Sequence, residues 1–169
     1  MQTLTRRHRQ ATEAVTARIV LANIVSEQSL PYNVSLMDTP EKSYELWKQI
    51  VATQPDHEPE KECLVVFLLN TRLAPFAWHR VSLGTCSDTS AHPREILRPA
   101  IAGNAYGFVL MHNHPSGDPS PSSADGTITR KIIAAAELMH IRFLDHIIIG
   151  TPAPGRSPYY SFREAGLIP

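Results

Sequence analysis

The amino-acid sequence predicts an α/β fold in which helices pack on a central mixed β-sheet. Short apolar segments typical of strands alternate along the chain with amphipathic segments typical of helices. The chain has 169 residues and 43% hydrophobic content, which is enough for one compact core and too little for two. We therefore expect one domain over residues 37–169, preceded by a helix and connector over residues 1–36.

The N-terminal segment is predicted to form an amphipathic helix over residues 3–26, which contain no proline or glycine. Apolar residues recur there at helical spacing, namely Ala11, Val15, Ile19 and Ala22. The segment is also modestly basic, because it contains Arg6, Arg7, Arg9 and Arg18 against a single glutamate in the first twenty residues. Such a stretch is more often a solvated helix face than a phosphate-binding arm.

A second helix has a clear start, since Thr39 can cap it and Pro40 occupies its first position. We expect it to end before an acidic, proline-containing loop over residues 54–61. Residues 63–69 then form a nearly unbroken apolar run, typical of a strand buried on both faces. A second strand over residues 76–83 is expected to pair with it as an antiparallel hairpin.

The second half of the chain continues the alternation. A third helix is expected to begin near His92, with a proline in its first turn. A short apolar strand over residues 106–111 leads directly into a pair of histidines. A long amphipathic helix over residues 123–140 and a final strand over residues 143–149 complete the pattern.

The composition excludes several classes of protein. The 16 basic and 16 acidic residues give no net charge, so the bulk composition does not indicate a nucleic-acid or membrane partner. Two cysteines, Cys63 and Cys86, are too few and too far apart for a disulfide framework or a cysteine zinc site. No apolar run approaches the roughly 20 residues of a membrane helix. The N-terminus also lacks the apolar segment of a signal peptide, so we expect a soluble, cytoplasmic protein.

The sequence HNHPSGDPSPSSAD over residues 112–125 contains candidate metal ligands. In an extended segment, residues two apart project to the same side, so His112 and His114 can both direct a ring nitrogen at one centre. Asp125 follows in the first turn of the long helix, from which its carboxylate can turn back. Two imidazoles and one carboxylate suit zinc, and three protein ligands leave the fourth position open for a water. An open position is typical of a catalytic site.

Two nearby histidines alone are a weak signal, but the complete spacing is far more demanding. The pattern H-x-H, seven residues, Ser122, two residues, Asp125 resembles the motif of the JAB/MPN (JAMM) metallopeptidases. Four segments resemble the RadC-like branch of that family: HNHPSGDPSPS from residue 112, HPRE from 92, LDHIIIG from 144 and YSFREAGL from 160. The resemblance covers residues from about 38 to 168.

The resemblance implies a three-layer α/β/α sandwich with a mixed central sheet, like that of cytidine deaminases. It also implies a zinc-dependent metallopeptidase or isopeptidase that holds one Zn²⁺ per chain and acts on a peptide or protein substrate. Glu62 matches the family's general base, which takes a proton from the zinc-bound water. Ser122 matches the motif serine, whose hydroxyl would hydrogen-bond the oxyanion.

Each catalytic assignment has a competing interpretation. Glu62 could be a solvated residue that closes an acidic loop, and Glu95 is an alternative base, although it lies at a helix start where a carboxylate is expected anyway. Ser122 could simply cap the long helix, a role for which Ser120 and Ser123 compete.

Other residues near the motif have less specific interpretations. His92 and His146 could support the ligands, but lone histidines in such positions are more often structural, and we do not assign them as ligands. Gly117 suits a turn that helps to bring the ligands together. Gly126 departs from the family pattern and predicts a looser helix start.

The alternative function is that of a DNA-repair or mobile-element factor that binds DNA or protein without cleaving peptides. The helix-hairpin-helix region that precedes this domain in full-length RadC proteins is not found in this sequence, which weakens the expectation of DNA binding. A nucleic-acid deaminase is excluded because the H-x-E and P-C-x-x-C ligands are missing. An inactive interaction module is the remaining alternative, although this sequence keeps the complete ligand set.

Overall fold

The computed structural model describes residues 35–84 and 92–169 of the chain. The predicted N-terminal helix with its arginines, and Cys86, lie outside the described residues. The division into residues 1–36 and 37–169 therefore stays a prediction.

Helices and strands alternate along the described residues. In chain order they are α1 (Pro40–Leu46), a π-helical turn (Trp47–Val51), β1 (Cys63–Leu69), β2 (Pro75–Leu83), α2 (Pro93–Ala102), β3 (Gly107–Asn113), α3 (Ser123–Leu138), β4 (Arg142–Ile149) and β5 (Tyr159–Ser161). None of the described helices is long and apolar enough to cross a membrane.

The strands form one mixed sheet in the order β2-β1-β3-β4-β5. Strands β3 and β4 are parallel, and every other neighbouring pair is antiparallel. In the parallel pair, Leu110 lies opposite His146 and His112 lies opposite Ile148. The carboxyl ends of these two strands therefore meet at the same edge of the sheet.

Both faces of the sheet are covered, which explains the unbroken apolar run of β1. One layer packs α2 and α3 on alternate strand residues, among them Leu64, Val66, Leu68, Phe108 and Leu110. The opposite layer packs α1 and the π-helical turn on the intervening residues, among them Cys63, Val65, Phe67, Leu69 and Met111. The predicted three-layer α/β/α sandwich with a mixed sheet is confirmed.

Most predicted elements have the expected positions, and three features differ. Strand β3 extends two residues further than predicted, so that His112 and Asn113 belong to it. Strand β5 was not predicted, because three residues carry too little periodicity and depend on pairing with β4. The π-helical turn was also not predicted; in it Ala52 N donates to Trp47 O at 3.0 Å.

Candidate metal centre

Three elements bring the predicted ligands together at the carboxyl edge of the parallel strand pair. His112 lies in β3, His114 directly follows β3, and Asp125 lies in the first turn of α3. His112 and Asp125 are buried and His114 is half-buried. One ligand atom from each residue lies within 4.8 Å of the other two. These three residues could therefore hold a metal ion.

The distances between the ligand atoms fit a tetrahedral ion. The Nε2 atoms of His112 and His114 are 3.1 Å apart. Asp125 places Oδ1 at 3.2 Å from the first nitrogen and Oδ2 at 3.5 Å from the second. Two ligands about 2.0–2.1 Å from a tetrahedral zinc ion would be separated by about 3.3 Å. The donor set suits zinc, although two histidines and one carboxylate also bind Fe(II).

The carboxylate of Asp125 is oriented by the start of α3. Ser122 is the N-cap, and it forms a capping box in which Ser122 Oγ accepts from Asp125 N at 3.2 Å. Ser122 N and Ser122 Oγ both donate to Asp125 Oδ2, at 2.7 and 2.6 Å. Oδ1 is thereby left facing His112. The cap interpretation of Ser122 is confirmed, and neither Ser120 nor Ser123 takes that position.

The pKa of Asp125 lies well below its ordinary value. Burial alone would raise this pKa, but the hydrogen bonds to His112, His114 and Ser122 outweigh the burial. Asp125 is therefore ionised at neutral pH and can act as an anionic ligand without first losing a proton.

His114 is oriented by the loop that follows it. Its Nδ1 lies 2.8 Å from the carbonyl oxygen of Asp118, which can only accept, so Nδ1 carries the proton and Nε2 is left for the ion. The pKa of His114 is raised, first by the hydrogen bond with Asp125 and also by the charge of Glu62. The charge of Glu62 is a minor cause of this shift.

The loop is held close to the end of β4 by two glycines. Gly117 has a φ of 75°, a conformation that side chains disfavour, and its carbonyl accepts from Thr151 N at 2.8 Å. A Cβ atom on Gly150 would lie 2.6 Å from Gly117 O and 2.6 Å from Pro119 Cδ. The loop can therefore pack here only because both positions lack a side chain.

His112 is supported by a second buried histidine. Its Nδ1 lies 3.0 Å from Nε2 of His146, which is 1% exposed. Nδ1 of His146 lies 2.7 Å from Thr129 Oγ1, and this hydroxyl lies 2.6 Å from the backbone oxygen of Asp125. The ring of His146 also stacks on Phe162, with centroids 4.8 Å apart. The pKa of His146 is lowered, mainly by burial and then by the proximity of His112, because two protonated rings would repel each other.

Asn113 points away from the ligands and holds the segment that contains Glu62. Its Oδ1 accepts from Cys63 N at 2.9 Å, and its Nδ2 donates to Pro59 O at 3.2 Å and to Lys61 O at 3.0 Å. Two of these partners flank Glu62 directly. The half-buried Glu62 itself receives no hydrogen bond on its carboxylate from the described residues. Asn113 thus links strand β3, which carries the candidate ligand His112, to the backbone on both sides of Glu62.

A cavity of about 220 Å³ opens beside His114. Its walls combine apolar and polar groups, contributed by Trp47, His57, Pro59, Glu60, Asn113, His114, Pro115, Ile149, Gly150 and Thr151. It connects the ligand loop to the segment that precedes Glu62. The cavity is large enough for one side chain of a bound molecule.

Glu95 and His92, which the sequence also offered as site residues, lie at the start of α2. Glu95 pairs with Arg94 and Arg98 at the start of α2, as expected for a helix-start carboxylate. His92 is the exposed N-cap of that helix. Sequence reasoning left His146 open and missed Thr129 and Asn113, because nothing in the sequence shows which buried partners they meet. The catalytic roles of Glu62 and Ser122 stay predictions.

Comparisons with known proteins agree with the resemblance. The family model of the RadC-like JAB domain matches residues 37–167. UPF0758 protein PM1152 of Pasteurella multocida (strain Pm70) is 44% identical to this chain over 109 residues. The match covers 64% of this chain and 46% of the relative, so this chain corresponds to about half the length of that protein.

Proposed function

The chain belongs to the RadC-like JAB domain family, and on that basis we propose that it is a zinc-dependent hydrolase of amide bonds. In this proposal it acts as a metallopeptidase or isopeptidase on a peptide or protein substrate. The observation that supports it most is the convergence of His112, His114 and Asp125, whose facing atoms are 3.1–3.5 Å apart. Three protein ligands are typical of a catalytic zinc site, because they leave one position for water or substrate.

When bound, zinc would supply a Lewis acid and lower the pKa of a coordinated water to about 7. In the proposed reaction the carboxylate of Glu62 accepts that proton and later passes it to the leaving amine. One geometric observation and one minor electrostatic effect support this role. The charge of Glu62 acts on His114, and Asn113 holds the peptide groups on both sides of Glu62.

Ser122 would have two functions in this proposal. Its hydroxyl orients the Asp125 carboxylate, to which it donates at 2.6 Å. To stabilise the oxyanion of the tetrahedral intermediate, the same hydroxyl has to turn its proton away from Asp125 Oδ2. Ser122 N would continue to donate to that oxygen at 2.7 Å, so the carboxylate keeps one of its two hydrogen bonds.

The cavity beside His114 is the proposed site for a substrate residue next to the cleaved bond. Trp47, Pro115 and Ile149 offer an apolar wall, whereas Asn113 and Thr151 offer polar groups. Because the wall also contains one acidic residue, Glu60, it favours a mid-sized side chain over an acidic one.

The first experiment is elemental mass spectrometry on protein purified without added metal. We expect about one zinc per chain in the wild type and its loss in Asp125→Ala. Asp118→Ala is the matched control, because the hydrogen bond to His114 comes from the backbone oxygen of Asp118, which the substitution keeps. Iron in place of zinc, or no metal even after zinc is supplied, would contradict the proposal.

The second experiment tests the base on a mixture of fluorescence-quenched peptides and lysine-linked isopeptides. Glu62→Gln should retain zinc and lose cleavage by at least about 100-fold, because general acid–base catalysis typically contributes 10²–10⁴-fold. Glu58→Gln is the matched control in the same segment and should remain active, because Glu58 is exposed, pairs with Lys61 and does not line the cavity. Equal cleavage by wild type and Glu62→Gln would exclude Glu62 as the base.

A further inference from the structure

We propose that His146 and Thr129 are positioning residues that fix the ring proton of His112 on Nδ1 and so present its Nε2 lone pair to the metal. They do so through a chain of hydrogen bonds that runs from the backbone oxygen of Asp125 through Thr129 and His146 to His112. We call this chain the hydrogen-bond relay. The inference rests on the proposed metal site and goes beyond it, since neither residue is a ligand.

The relay begins at an atom that can only accept. The carbonyl oxygen of Asp125 has no proton, so the Thr129 hydroxyl 2.6 Å away must donate to it. A hydroxyl has a single proton. Once that proton is directed at Asp125, the hydroxyl oxygen can only accept from any other partner.

The next partner is His146, whose Nδ1 lies 2.7 Å from the Thr129 hydroxyl. Because the hydroxyl accepts here, Nδ1 of His146 must carry a proton and donate. A neutral imidazole has one N–H, so Nε2 of His146 has a lone pair. The ring is 1% exposed and stacked on Phe162 with an interplanar angle of 9°, which prevents it from flipping to exchange its nitrogens.

The last link is the contact of 3.0 Å between Nε2 of His146 and Nδ1 of His112. Since Nε2 of His146 accepts, Nδ1 of His112 donates. The neutral ring of His112 then has its lone pair on Nε2, which faces His114 and Asp125. Metal binding at His112 requires the same tautomer, because only an unprotonated Nε2 can bind an ion.

The two rings could instead both carry their protons on Nε2, and Thr129 disfavours this alternative pair of tautomers. With the proton of His112 on Nε2, this ring could donate to Asp125 Oδ1 at 3.2 Å. His146 would then have to carry its proton on Nε2 and accept at Nδ1. Thr129 would have to turn its proton away from Asp125 O and donate to His146. The contact of 2.6 Å between two oxygens would be left without a proton.

The tautomer of His146 can be measured directly in the wild-type protein. Long-range ¹H–¹⁵N correlation spectra distinguish Nδ1–H from Nε2–H rings, and they can be recorded with and without zinc. We expect His146 to be an Nδ1–H tautomer in both states. An Nε2–H or rapidly exchanging ring in either state would overturn the relay, and this outcome requires no variant and no catalytic activity.

Zinc affinity, measured by competition with a chromophoric chelator, tests whether the relay matters for the metal. Thr129→Val keeps the shape and removes the hydroxyl, and we expect zinc binding to weaken about 10- to 100-fold. Thr129→Ser keeps the hydroxyl and should remain within about threefold of the wild type. Thr127→Val is the matched control, because Thr127 makes the same type of helix bond, to Ser123 O at 2.9 Å, away from the rings.

The outcomes separate this inference from the proposed function. Equal zinc affinity in Thr129→Val and Thr127→Val would overturn the relay even if the protein is an active peptidase. A protein that binds zinc with the expected tautomer and affinity losses, but cleaves no peptide, would support the relay and contradict the hydrolase. If Thr129→Val does not fold, the tautomer of the wild-type His146 still decides.

Discussion

His112 and His114 are two residues apart and present the same atom to the same point, yet their surroundings differ. The side chain of His112 is 2% exposed, and its orientation depends on a buried histidine and a threonine from two other elements. The side chain of His114 is 17% exposed, and a carbonyl four residues along the same loop orients it. One candidate ligand is supported by tertiary contacts and the other by local chain geometry.

The comparison shows that an H-x-H motif can combine two different kinds of support. A local loop positions a ligand through backbone conformation, so side-chain substitutions in the loop should matter less than changes in its packing. A buried relay positions a ligand through side-chain protons, so a substitution that removes one hydroxyl should matter without changing the shape of the core.

The largest loss of stability is expected from Gly150→Ala, which disturbs the packing of the loop that follows His114. Its Cβ would lie 2.6 Å from Gly117 O, so the loop that orients His114 has to move. We expect the free energy of unfolding in urea to fall by about 3 kcal/mol, since overpacking against the backbone is not relieved by a rotamer change. Zinc affinity should fall, while His146 keeps its Nδ1–H tautomer. Unchanged stability would show that the loop is not tightly packed.

A smaller loss of stability is expected from Asn113→Ala, at the residue between the two ligands. The change removes three hydrogen bonds to residues 59–63, and we expect a loss of about 2 kcal/mol in urea unfolding. Zinc affinity should change less than threefold, because Asn113 points away from the ligands. Asn70→Ala is the control, since it removes bonds in an exposed turn. A large loss of zinc affinity in Asn113→Ala would contradict the conclusion that Asn113 holds residues 59–63 without orienting the candidate ligands.

In metal-free protein, the contributions of His146 and His114 to folding stability should change with pH in opposite directions. Because the pKa of His146 is lowered, the unfolded chain takes up a proton below pH 6.5 that the folded protein does not. This histidine therefore contributes stability above pH 6.5 that is lost as the pH falls, by up to about 1.4 kcal/mol per pH unit. The pKa of His114 is raised, so its contribution has the opposite sign: it is present at low pH and is lost as the pH rises through that pKa.

Urea unfolding between pH 7.5 and 5.5 measures this difference. The loss of stability on acidification should be smaller in His146→Gln than in the wild type, and larger in His114→Gln. Identical pH dependence in the wild type and His146→Gln would mean that His146 takes up its proton in the folded protein.

The smallest effect, of opposite sign, is expected from Gly126→Ala. Gly126 lies inside α3 directly after Asp125, and an added Cβ would meet only the Arg130 side chain at 3.5 Å. We expect a gain of about 0.5–1 kcal/mol in unfolding free energy, since alanine favours the helix, and no change in zinc affinity. A lower affinity would indicate that the capping box needs the flexibility of glycine.

Much of the site could be predicted from the sequence because its ligands lie close together along the chain. The spacing of His112, His114, Ser122 and Asp125 follows from one strand end, one loop and one helix start, all of which have local signals. The predicted bounds of β1 were correct because a strand covered on both faces is apolar throughout. The looser start expected of α3 stays a prediction, although Ser122 and Asp125 form a complete capping box there.

The sequence alone determined the α/β class, the family resemblance and the three candidate ligands, because hydrophobic period and motif spacing are local properties of the chain. Only the tertiary structure decided that His146 and Thr129 lie behind His112, and that Asn113 holds the segment of Glu62. The physical reason is that a buried polar group must find a partner, and the sheet order and register select that partner. Placing β4 beside β3, with Leu110 opposite His146, is a property of the assembled sheet that no segment encodes by itself.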